Sequence, residues 1–470
     1  MSPTSLSPTV EPAVEEQAQT AVIKTLFATA QHFFGSFTHF FAGVSDPRRP
    51  ELIIYPLAAV LFAGLLTPAL ACGASVFVCR LGARRQIGLM FRDNAPSASK
   101  FEALFQVAGC PHGDTLDATF SRLQPPELQA VVTGLTETLI RNKVLYPDRL
   151  LGHYYRVAID GTGVLVFAER HCAQCLTRSR DGVTIYYHPV LEAKLVTATG
   201  FVFSLMTEFI ENPGEHPTKQ DCELKAFYRL ADRLKQRFPR LPLCLLLDSL
   251  FAGGPTFTRC EQYGWKYLIT LQDGDLPSVH QDFEALTKLA PENRLHFTPS
   301  GYPPVAQDFR WMNDLPYVDT EHRAHNLSVI DCLETRTVDG QPKTTRFRWV
   351  SNFNVTPTKV LTLANQGGRL RWKIENEGFN VQKNGGYALE HAYTQNPTAA
   401  KVFYFLWQIA HLLSQLMAHG SLFRQAFPKG VGSAKNLAFR VLEAWRNLRL
   451  TPAKYLALWA GRFQIRFDTS

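Results

Sequence analysis

The chain has 470 residues with 46% hydrophobic and 12% aromatic content, which excludes a wholly disordered protein and exceeds what one core usually serves, so two or three domains are expected. Its 49 Lys plus Arg against 41 Asp plus Glu give a formal charge of +8 and favour an acidic partner such as nucleic acid. Nine cysteines, an odd count, and an opening MSPTSLSPTVEPAVEEQAQT without a basic stretch leading into an apolar one predict a reducing cytoplasm and no secretory signal.

In chain order, residues 1–20 are rich in Ser, Thr, Pro and Glu and read as a disordered tail. Residues 21–148 read as an all-helical N-terminal domain, with apolar positions three and four apart in ASKFEALFQVAG and in DTLDATFSRLQPPELQAVVTGLTETLIRNKVL, and with Asp114 or Thr115 as a cap. Within it, Leu52 to Cys79 carries no charge and is long enough to span a bilayer. Pro56, Pro68 and the lack of a second such segment favour a pair of buried helices and no membrane. The basic run RLGARRQIGLMFR places Arg84 and Arg85 where they can contact DNA phosphates.

Near residue 150 the rhythm changes. YRVAID, GVLVFA, TIYYHPVLEAKLVT and FVFSLMTEFI read as consecutive antiparallel strands, KQDCELKAFYRLADRLKQRF as a helix, and LCLLLD as a strand buried on both faces. A polar stretch over 273–346 has strand-like pieces, and helices follow to the end, including KVFYFLWQIAHLLSQLMAHG.

Asp160 ends the strand YRVAID and Asp248 ends LCLLLD, so the two can meet at one edge of a sheet. RWKIENEGFNVQK then offers a glutamate from a helix. Three such carboxylates can hold two Mg²⁺ or Mn²⁺ ions roughly 3.5–4 Å apart, which suits phosphodiester chemistry. On an α-helix Arg371, Glu375 and Lys383 share a face and Glu377 points away, so Glu375 is the expected third ligand. Arg371, Lys373 and Lys383 are expected to grip the DNA backbone. Taken singly, each residue has a plainer role: Asp160 in an Asp-Gly turn, Asp248 as a helix cap, Arg371 and Glu375 as a surface ion pair.

VAIDGTG around Asp160, LLLDSLFAGGP around Asp248 and GGRLRWKIENEGFNVQKNGGYALEHAY around Glu375 together resemble insertion-sequence transposases of the DDE type, similar to the insertion sequence 4 class. That class carries tyrosine, two residues, arginine, three residues, glutamate, six residues, lysine. Here Arg371 and Glu375 match, Gly368 stands at the tyrosine position, and Lys383 lies one residue late. The resemblance implies an α/β protein whose ribonuclease-H-like mixed sheet, flanked by helices, is formed by 149–272 and 347–420. A β-rich insertion occupies 273–346, the helical domain binds DNA, and 421–470 is a basic helical segment. It implies a bacterial, nucleoid-associated enzyme, homodimeric on DNA, that cuts terminal inverted repeats and joins them to target DNA. A catalytically inactive, DNA-binding descendant is the alternative.

Two features stand outside this scheme. HCAQC sets Cys172 and Cys175 in zinc-knuckle spacing, with His188 and Cys222 as further donors; either these hold Zn²⁺ or they are reduced thiols and an ordinary strand histidine. Arg424 to Arg466 carries nine Lys or Arg against Glu443 alone, interleaved with Trp445, Tyr455 and Trp459. It is either a phosphate-contacting surface or an amphipathic helix with its aromatics inward.

Overall fold

A computed structural model describes residues 12–35, 39–71, 94–167, 169–170, 172–180, 182–214, 218–300, 305–387, 389–390, 393–451, 453 and 464–467. It is an α/β protein, and the chain divides into two compact units, Met1–Leu139 with Val164–Val166 and Asn380–Ser470, and Ile140–Gly163 with Phe167–Phe379.

The first unit is built from helices at both ends of the chain, among them Pro12–Phe34, Leu57–Ala71, Ala95–Phe105, Pro397–His419 and Ala434–Asn447. Their aromatics converge on Trp445, which is fully buried among Phe27, Phe62 and Phe101 at ring separations of 6.5, 5.4 and 6.0 Å. Trp445 is therefore core, which corrects the phosphate-surface reading at this position; Tyr455 and Trp459 lie outside the described residues. Buried Lys100 donates to the carbonyls of Trp445 (2.7 Å) and Leu448, capping the end of the helix Ala434–Asn447, while burial pulls its ammonium down to about 7. The uncharged run from Leu52 enters the same core: Ala59 to Ala63 are buried, and the helix begins just after Pro56. Among the described residues no helix is long and apolar enough to cross a membrane. Residues 72–93, with Arg84 and Arg85, lie outside the described residues.

The second unit holds one mixed sheet. Its strands are β1 (Tyr155–Phe167), β2 (Leu176–Arg180), β3 (Val183–Val196), β4 (Val202–Phe209), β5 (Leu243–Leu247), β6 (Lys266–Thr270), β7 (Arg294–Phe297), β8 (Val305–Val318), β9 (Ala324–Val338) and β10 (Gln341–Ser351). The order is β2-β3-β1-β5-β6-β10-β9-β8-β7, with β4 also paired to β3. β5 is parallel to both β1 and β6, and all five of its residues, Leu-Cys-Leu-Leu-Leu, are buried, as a strand covered on both faces requires. β10 pairs antiparallel with β6, so the strand-rich stretch over 273–346 extends this sheet instead of closing one of its own. One core confirms the continuity: Ala158, Leu246, Leu268, Trp311, Ile330, Trp349 and Ile374 belong to a single buried cluster.

A fully buried ion pair lies in this unit. Glu192 and Lys194 on β3 are 3.7 Å apart, and the carboxylate also accepts from Ser204 Oγ at 2.9 Å and from Thr207 Oγ1. The Lys194 ammonium stands 5.5 Å over the ring of Phe379, at the end of the segment that carries Glu375. Lys194→Met should destabilise the protein by about 3 kcal/mol, because it leaves a buried carboxylate without its cation. Adding Glu192→Gln should recover most of that loss in denaturant melts; no recovery would show that the lysine acts through packing alone.

Candidate functional site

The parallel register sets the site. Tyr155 pairs with Leu243 and Ala158 with Leu246, and continuing by two places brings Asp160 level with Asp248. Asp248 follows β5 directly and its Oδ1 accepts from the Leu250 amide at 3.0 Å, so it both ends the strand and caps the tight turn Ser249–Phe251. Asp160 does not end its strand. β1 continues through Gly161 to Phe167, and YRVAID and GVLVFA, expected as two strands, are one. Asp160 instead holds the next peptide, its Oδ1 accepting from Gly161 N–H at 2.9 Å.

The segment carrying Glu375 is not a regular α-helix. Gly368–Trp372 forms a 3₁₀ turn and Ile374–Asn380 a π-helical one, so the uniform step per residue assumed from the sequence does not apply. Arg371 and Glu375 nevertheless meet. Arg371 Nη1 lies 3.2 Å from Asp160 Oδ2 and 3.2 Å from Glu375 Oε1. Glu377 pairs with Lys373 at 2.7 Å. Gly368, at the tyrosine position of the resembled signature, packs its backbone on Trp349; a Cβ there would stand 2.4 Å from the indole nitrogen, so this chain has no room for a tyrosine.

The cation placements differ from expectation. Arg371 is buried, with 7% of its side chain exposed, and its Nη1 is taken up by two carboxylates. Lys383 is paired with Glu390 at 2.7 Å, on a short helix beyond the π-helical segment.

A fourth carboxylate, Glu223, went unnoticed in the sequence. It opens the helix Glu223–Arg237, and the bare Gly161 gives it room, since a Cβ on Gly161 would fall 2.2 Å from Glu223 Oε1. An acid in the first turn of a helix is so common that only the approach to β1 singles it out.

The electrostatics follow from crowding. Burial, a hydrogen bond with Glu375 and the charges of Glu375 and Asp248 push the Asp160 carboxyl up to about 7 against the pull of Arg371. Burial also raises Asp248, with Glu375 and Asp275 adding and Arg371 opposing, and burial with Asp248 raises Glu223. Asp160, Asp248 and Glu375 thus share one arginine, with Glu223 beside Asp248, an excess of negative charge that a cation would relieve.

Cys172, Cys175 and His188 do come together, with all three ligand atoms within 4.8 Å of one another. Cys222 stays outside that group, exposed at the start of the helix Glu223–Arg237, which removes it from the expected zinc ligands. No protein-family model and no curated protein matches this chain.

Since folding raises the Asp160 carboxyl from its usual range, folded protein binds a proton between roughly pH 4 and 7 that unfolded protein does not, and this group's contribution to stability falls as pH rises through that window. In chelator at pH 8, Asp160→Asn should therefore be more stable than wild type by about 1–3 kcal/mol, the gap narrowing toward pH 4. Thermal melts across pH check this; a variant less stable at pH 8 than at pH 5 relative to wild type would contradict the crowding.

Proposed function

We propose that the protein is a DDE-type transposase that binds the ends of a mobile DNA element and catalyses metal-dependent strand cleavage and strand transfer. The observation carrying this reading is the meeting of Asp160 from β1, Asp248 from the end of β5 and Glu375 from the π-helical turn around one buried arginine. Acids on neighbouring parallel strands of a mixed sheet, with β8, β9 and β10 extending it, support a ribonuclease-H-like core with a β-rich insertion.

The donor set fits the cofactor. Carboxylates suit Mg²⁺ or Mn²⁺, and an acid pushed up to about 7 beside three others is a site short of positive charge. Asp160, Asp248 and Glu375 would hold two such ions, which when bound supply an activated water or 3′-hydroxyl and a stabilised leaving oxygen. The chain's own residues prepare this. Strand pairing fixes Asp160, the Leu250 amide fixes Asp248, and Arg371 keeps Glu375, two-fifths exposed, turned toward Asp160. The substrate is double-stranded DNA, the terminal repeats and the target, and the surplus of basic residues agrees with it. The complex on DNA is a homodimer, in the cytoplasm.

The test is cleavage of a labelled duplex spanning the DNA that flanks this gene, with Mg²⁺, beside gel shifts on the same proteins. Asp160→Asn, Asp248→Asn and Glu375→Gln should each lower cleavage by about two orders of magnitude or more while DNA binding survives. Glu377→Gln, whose partner is Lys373, should keep most activity. Normal cleavage by all three site variants would overturn the reading.

A further inference from the structure

We propose that Cys172, Cys175 and His188 form a zinc site that pins the connection leaving β1 to β3, separate from the carboxylate site. The argument starts from register. Leu176 pairs with Tyr187 across the antiparallel β2-β3 ladder, so one place further Cys175 lies directly opposite His188. Opposed residues on antiparallel strands stand about 4.5–5.5 Å apart at Cβ, within reach of a shared ion. Cys172 comes back to the same point through the tight two-residue spacer Ala173–Gln174.

The resulting triangle is nearly equilateral. Cys172 Sγ to Cys175 Sγ is 3.4 Å, and each sulfur is 3.3 Å from His188 Nε2. Zinc bonds of about 2.3 Å to sulfur and about 2.0 Å to nitrogen imply ligand separations of roughly 3.5–3.8 Å on the face of a tetrahedron. The three atoms lie a few tenths of an ångström inside that, so small rotations admit the ion. Two sulfurs and an imidazole select zinc over the hard cations that suit the carboxylates.

The surroundings hold the ligands as a metal site needs. His188 Nδ1, the ring nitrogen turned away from the sulfurs, faces Glu211 Oε1 at 4.0 Å, a nearby charge that favours a proton on that nitrogen and leaves Nε2 free for a metal. Asn212 donates through Nδ2 to the Cys175 carbonyl at 2.8 Å, and its own amide donates to the Gln174 carbonyl at 3.1 Å, which fixes the turn between the cysteines. Cys175 and His188 are buried and Cys172 is partly exposed, and among the described residues no further Cys, His, Asp or Glu belongs to the group. The role is structural: β2 has only five residues, and a crosslink at its first turn stabilises the hairpin beside the strand that bears Asp160.

The experiment uses the full chain purified without chelator, read by elemental analysis. About one zinc per chain is expected, falling to about a tenth or less in Cys172→Ser/Cys175→Ser and persisting in Cys222→Ser. Should the double variant fail to fold, cobalt exchange into wild type reports directly: a thiolate-to-cobalt charge-transfer band with tetrahedral visible bands, lost or shifted in His188→Gln. Metal-free wild type that gains no cobalt spectrum, or a Cys172–Cys175 disulfide in reduced preparations, overturns the site. Loss of zinc in Cys222→Ser overturns the three-ligand assignment.

Discussion

Carboxylates that approach one another inside a protein must lose a proton-free state or gain a cation, and the second unit of this chain is arranged around that constraint. Parallel pairing of β1 with β5 sets Asp160 level with Asp248, and neither can leave, because one is in mid-strand and the other caps a turn. Glu375 and Glu223 add two more acids. Arg371 is the answer available within the fold, reaching Asp160 and Glu375 with one nitrogen. Even so, Asp160 stays pushed up to about 7, so the arginine compensates only part of the charge.

Several local departures from regular structure serve that arrangement. A 3₁₀ turn running into a π-helical one is an awkward way to build a helix, yet it sets Arg371 and Glu375 on the same side and turns Glu377 to Lys373. Gly368 lets the segment lie on Trp349, and Gly161 leaves space for Glu223. The buried Glu192–Lys194 pair belongs with these: its ammonium stands over Phe379, at the far end of the π-helical segment. Polar groups in this core are thus tied to the placement of one short stretch of chain, at some expense in stability.

Much of this was legible in the residues. YRVAID and LCLLLD mark strands, and acids placed after two such strands can meet at one edge of a sheet, whereas the parallel pairing that sets them level is a property of the fold. The choice of Glu375 over Glu377 rests on a uniform helical step that the segment does not follow; here Glu375 pairs with Arg371 and Glu377 with Lys373. β1 was read as two strands because Asp-Gly ordinarily signals a turn, whereas here the glycine is needed for a close approach. Glu223 gave no sign, since its partner is a glycine some sixty residues earlier. Arg371 looked like a surface cation, and burial is not written in an i, i+4 pair. At the other end of the chain, the basic content of the last segment left two readings open for Trp445, and the inward one holds, in a core assembled with Phe27, Phe62 and Phe101.

In the proposed scheme the Cys172–Cys175–His188 triangle and the carboxylate group would divide metal binding by ligand softness, sulfur and imidazole in one place and oxygen in the other. The central claim concerns the second of these, and Mn²⁺ binding tests it most directly, because it needs neither a known DNA sequence nor turnover. Titrating zinc-saturated wild type with Mn²⁺, followed by the loss of the free ion's electron paramagnetic resonance signal, should show binding that Asp248→Asn and Glu375→Gln each weaken at least about tenfold, while Glu377→Gln leaves it unchanged. Equal Mn²⁺ binding by wild type and by Asp248→Asn would contradict the assignment of Asp160, Asp248 and Glu375 as a metal-holding set.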